Sequence, residues 1–218
     1  MGKGGTATDV LDTASEHFLP GIYFTCAIQA YWQGHNERCR HYIKKSSHST
    51  RSDKWRLPFN TFIEGMNSFR LLKRTVNGKL RSLPRNESSS KLKSIPEKAI
   101  EELKNAASHS SSNFCNKVHL LEAEQFSYHC NDNKAKESYA AAISSARSSG
   151  FIHEQGLACE LAGYHFKRVN EFSSAWSFFD QAKRCYTEWG SQMKVDSVTQ
   201  QLDSLSDYMP GGADGVVG

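Results

Sequence analysis

Residues 132–150 read DNKAKESYAAAISSARSSG, and residues 172–190 read FSSAWSFFDQAKRCYTEWG. At an offset of 40 with no gap, Ala135 falls on Ala175, Tyr139 on Phe179, Ala142 on Ala182 and Gly150 on Gly190. In the second stretch Phe172, Ala175, Phe179, Ala182, Tyr186 and Trp189 follow one another in steps of three and four. That spacing puts them on one face of a helix. Gly190, able to take positive φ, stops the helix. Fully burying a large side chain contributes about 1.5–3 kcal/mol. A ligand-specific aromatic cluster has no reason to recur in register with helix turns, so Phe179, Tyr186 and Trp189 read as packing between helices. Trp176 and Phe178 lie off this stripe and stand as candidates for partner contact.

The same offset extends upstream, where Leu121 falls on Leu161 and Phe126 on Phe166. Downstream, Val195, Val198, Leu202 and Leu205 resume the helical rhythm. Two helices per 40 residues, with small residues where helices must approach closely, predict a helix-hairpin repeat. A weaker third copy lies near the N-terminus. Tyr23, Ala27, Ala30 and Tyr31 mark its first helix, Gly34-His35-Asn36 a turn, and Cys39, Tyr42 and Ile43 its second helix. Between the copies, Phe62, Met66, Phe69 and Val76 share one helical face, as do Ile95, Ala99, Leu103 and Ala106, with Pro96 expected in a first turn. No segment alternates with period two over six residues. The fold expected is all-α, built of antiparallel helix hairpins with a period of about 40 residues. Its parts are a frayed tail at 1–18, helices at 19–76, a basic Ser-rich linker at 77–94, repeats at 95–208 and a second frayed tail at 209–218.

At 218 residues with a mean hydropathy of -0.59, no window approaches a membrane span, and the start MGKGGTATDVLD carries no apolar signal region. Gly2 followed by Thr6 fits a myristoylation pattern, which a glycine-rich tail fits equally well. The six cysteines are scattered and form no C-x-x-C pair, the usage of a reduced, cytoplasmic chain. His35 with Cys39 and Cys115 with His119 are i,i+4 pairs, each two ligands short of a closed zinc site. The charge is uneven. Residues 36–104 hold 17 Lys+Arg against 7 Asp+Glu, a net of +10, and the remainder holds 10 against 16, a net of −6. The basic middle admits nucleic-acid binding through residues such as Arg81, Arg85, Lys91 and Lys93. Its Ser-rich, aperiodic character reads better as a solvated segment or as a patch meeting an acidic protein surface.

Catalytic signatures are few. His153-Glu154 and Cys159-Glu160 invite an acid/base or thiol reading, but HEQGLAC is not H-E-x-x-H. His153, Cys159 and His165 follow one another at intervals of six, which places them on different helical faces.

The segments HEQGLACELAG (153–163), AWSFFDQAKRCYTEWG (175–190) and Lys194-Val195 resemble the C-terminal tetratricopeptide-like repeats of very large signalling proteins. Those proteins join a serine/threonine-kinase-like region and an AAA/STAND-type ATPase to a helical repeat region, often followed by sensor histidine-kinase domains. NKVHLLEAEQ and AKESYAAAISSARSSGF resemble the preceding repeat, and AYWQGHNERCRHYI an earlier one. The likeness implies a tetratricopeptide-like α-solenoid. KRVNEF departs from the usual glycine-aspartate turn, and the sequence holds no G-x-x-x-x-G-K-[ST] loop and no H-R-D or D-F-G string.

The function expected is therefore a non-catalytic, regulatory protein–protein interaction scaffold, the repeat arm of a larger ATPase/kinase signalling protein or a piece of one. Its partners would be proteins or adjoining domains rather than a small molecule, a membrane or nucleic acid, and no cofactor or metal is expected. Candidate surface residues are Arg147, Lys167, Arg168, Lys183 and Arg184, together with Trp176 and Phe178.

Overall fold

The computed structural model describes residues 7–46, 57–76 and 89–208. All of its regular elements are helical. They are α1 (Ala7–Trp32), α2 (Asn36–Ser46), α3 (Leu57–Val76), α4 (Ser89–His109), α5 (Ser111–Tyr128), α6 (Asp132–Ser148), α7 (Ile152–Arg168), α8 (Phe172–Trp189), α9 (Gln192–Asp203) and a 3-10 turn at Ser206–Tyr208. No described helix is long and apolar enough to cross a membrane. The chain divides into two units, Met1–Ala106 and Ala107–Gly218.

In the first unit α1 and α2 form a hairpin that turns at Gly34, with φ +74°. Ala27, Tyr31, Cys39 and Ile43 are buried, and Tyr23 stacks on Tyr42 at 6.2 Å. Helix α3 lays Phe62, Met66 and Phe69 into the same core. Polar contacts fix it there. The Asn67 amide donates to the Asn36 carbonyl at 3.0 Å, and the Arg70 guanidinium donates to the Tyr31 carbonyl at 2.6 Å while lying 3.8 Å over the Tyr31 ring. On α4, Glu102 accepts from the Thr61 hydroxyl at 2.9 Å.

Two boundaries differ from expectation. Helix α1 begins at Ala7, inside the expected tail, because 7–18 is a run without Gly or Pro, and it continues through Pro20. Helix α4 begins at Ser89, inside the expected linker, so Pro96 sits in its interior rather than in its first turn. The cause is Leu92, which is buried and heads the stripe Leu92, Pro96, Ala99, Leu103. Burying it outweighs the one backbone hydrogen bond that proline cannot make. Residues 77–88, Arg81 and Arg85 among them, lie outside the described residues, as do Gly2, Thr6 and the expected tail at 209–218. The side chains of Val76 and Lys91 are likewise outside the description.

The second unit is built of two hairpins, α5/α6 and α7/α8, followed by α9 against α8. Its core contains Ala135, Tyr139, Ala142, Ala175, Phe179, Ala182, Tyr186, Val198, Leu202 and Leu205. All four of its helix-to-helix turns share one hydrogen-bond pattern. The amides of Asn131, Phe151, Glu171 and Ser191 donate to carbonyls five residues back, at 2.9–3.0 Å. The amide before each donates three residues back, which completes a Schellman turn. Gly150 and Gly190 take the required positive φ, while Cys130 (57°) and Asn170 (63°) take it without being glycine. Asn170 is how KRVNEF turns without its glycine, since asparagine tolerates this region better than most residues.

Two glycines set the closeness of α7 and α8. A Cβ at Gly156 would lie 2.8 Å from the Tyr186 ring, and one at Gly163 would lie 2.7 Å from the Phe179 ring. Trp189 departs from the packing expected of it, being 40% exposed. It ends α8, with the His153 ring at 5.5 Å and the Tyr186 ring at 6.3 Å.

Candidate functional site

The most unusual chemistry of the second unit lies inside it. Helix α7 is buried around most of its circumference, and its buried set includes Glu154, Glu160 and His165. A buried charge is costly unless paired and hydrogen-bonded. Each carboxylate meets that requirement by reaching a different neighbouring helix. Lys117 of α5 donates to Glu154 at 2.7 Å, and the Asn116 amide donates to the same oxygen. Glu160 accepts from the Tyr186 hydroxyl of α8 at 2.6 Å and pairs with Lys194 of α9 at 2.6 Å. Between α5 and α6, Tyr139 donates to Glu124 at 2.5 Å. Burial and the Glu124 charge beside it push the Tyr139 hydroxyl well above the usual tyrosine range. His165 places Nδ1 3.0 Å from the Ser127 hydroxyl, tying α7 to α5.

The sequence reading missed this network. Lys117, Glu154, Glu160 and Lys194 lie in the segments quoted for the family likeness, but nothing in their spacing marks them as buried. The available signal is indirect: α7 is apolar or small on nearly every face, so a charge on it has nowhere exposed to go. Chemically the network fixes helix register. Its carboxylates are occupied by lysine, tyrosine and amide donors. Cys159 is fully buried, and burial pushes its thiol up to about 12, which keeps it protonated at neutral pH. Among the described residues no group of three or more His, Cys, Asp and Glu side chains could hold a metal ion.

The surface candidates do not converge. Lys167 donates to Gln201 (3.2 Å) and Ser204 (2.8 Å), which joins α7 to α9. Arg168 pairs with Asp132 at 2.5 Å and joins α7 to α6, and Lys136 pairs with Glu171 at 2.5 Å along the same edge. Arg184 pairs with Asp180 one turn away on α8, at 2.6 Å. Phe178 stacks on Phe166 at 5.0 Å with planes 13° apart, inside the α7/α8 hairpin. Arg147 is exposed on the last turn of α6, at the end of the hairpins opposite Arg168. Trp176 and Lys183 are half-buried and, seven residues apart on α8, share a face.

Comparison with protein-family models, with curated proteins and with solved structures finds no match to this chain.

Proposed function

We propose that the second unit is a tetratricopeptide-like docking scaffold without catalysis of its own, the repeat arm of a larger ATPase/kinase signalling assembly. The observation that carries this reading is the pair of successive helix hairpins, α5/α6 and α7/α8, whose turns share one Schellman hydrogen-bond pattern. Stacked hairpins of this kind offer a long, rigid surface rather than a cleft, and such surfaces dock helices, peptides and neighbouring domains. The family likeness of residues 153–163 and 175–190 supplies the signalling context.

The partner contact is assigned to the half-buried face of α8 that carries Trp176 and Lys183. Lys167, Arg168, Arg184 and Phe178 are engaged within the unit, and a half-exposed tryptophan is the residue type most enriched at binding hot spots. The test is a photo-reactive amino acid placed at position 176 of the full chain in native lysate. The expected outcome is one discrete cross-linked polypeptide, lost when Lys183→Glu is added. Cross-linking no stronger than from an exposed control position such as 144 contradicts the assignment.

A further inference from the structure

We propose that exposed faces of α2 and α9 are complementary and make a contact between two copies of this chain. On α2, Asn36, Cys39, Ile43 and Ser46 face the core, which leaves Arg38, His41 and Lys45 exposed at i, i+3 and i+7. Arg38 and Lys45 are engaged by no ion pair among the described residues.

The complementary surface follows from comparing α9 with α7. On α7, Gly156, Cys159 and Gly163 lie at i, i+3 and i+7, and the two glycines are where α8 presses closest. Forty residues on, α9 carries Asp196, Thr199 and Asp203 at the same spacing. Both aspartates are exposed, and neither meets a cation among the described residues; Asp196 accepts only from Gln192, at 2.7 Å. The face that receives the next helix on α7 is thus hydrophilic and acidic on α9. It repels an apolar helix and suits a basic one. Two helices of equal pitch bring an i,i+7 pair of cations opposite an i,i+7 pair of anions over about 10 Å of axis. The charge division of the whole chain, +10 over 36–104 and −6 elsewhere, has the same polarity. Because the two faces differ, the contact is heterologous: each copy offers α2 to one neighbour and α9 to another. Exposed pairs of this kind are individually weak and screened by salt, so the association is reversible and dilute-salt dependent.

Sedimentation velocity of the full chain tests this. In about 50 mM salt the sedimentation coefficient should rise with protein concentration, and at about 500 mM, where the Debye length has shortened several-fold, the rise should be gone. Arg38→Glu/Lys45→Glu and Asp196→Lys/Asp203→Lys, each confirmed folded by circular dichroism, should each remain monomeric. Mixed in equal amounts they should associate again, since the basic α2 of one then meets the acidic α9 of the other. A chain that is monomeric at every salt and concentration overturns the proposal. So does association that survives either charge reversal, or association of the wild type only when RNA is added, which makes α2 a polyanion patch instead.

Discussion

Gly163, like Gly156, leaves room for an aromatic ring of α8 against α7. Phe179 is fully buried and its ring lies where a Cβ would stand, 2.7 Å away, so the ring cannot retreat without displacing the core. Gly163→Ala gains about 1 kcal/mol of helix propensity, and overpacking in a filled core costs about 1–3 kcal/mol. The expected result is a net loss of up to about 2 kcal/mol in urea unfolding, confined to the second unit. At this scale the sequence was legible where small residues recurred in register. It was silent where burial contradicts residue type. Ala135, Ala142, Ala175 and Ala182 announce close approach, whereas Lys117 and Lys194 look like ordinary solvated lysines until their partners are located. Trp189 shows the opposite error: its period places it on the apolar face, but at the last turn of α8 it is 40% exposed.

Among elements, α7 organises the second unit, because its charged side chains reach α5 and α9 while its glycines admit α8. Glu160 is the residue shared by α8 and α9. Glu160→Ala removes the carboxylate that buried Lys194 pairs with and that the Tyr186 hydroxyl donates to, and should cost about 3–5 kcal/mol. The double variant Glu160→Leu/Lys194→Met removes both charges together and should recover most of that loss in the same unfolding assay. Failure to recover would mean that the pair stabilises by attraction rather than by mutual neutralisation. Helix existence and turns were readable here, because Gly34, Gly150 and Gly190 mark them and the 3.6-residue rhythm is clear. Helix starts were not. Pro96 suggested an N-terminus, and the burial of a single leucine about one turn earlier, Leu92, overrode it.

For the whole molecule, periodicity reveals architecture better than purpose. A surface made from the outer faces of stacked helices carries no short motif, so the sequence offered Trp176 and Lys183 among seven candidates without ranking them, and they stand apart once Phe178, Lys167, Arg168 and Arg184 are seen to have partners within the unit. One physical claim is central: the two hairpins of the second unit share a single core, and neither is stable alone. The most direct test is hydrogen exchange on a chain ended at Asn170, which retains α5, α6 and α7 but lacks Phe179, Tyr186 and Lys194. Loss of amide protection throughout α5–α7 is predicted, with the aggregation that follows exposure of the α7 face. Protection of α5–α7 equal to that in the full chain would contradict it.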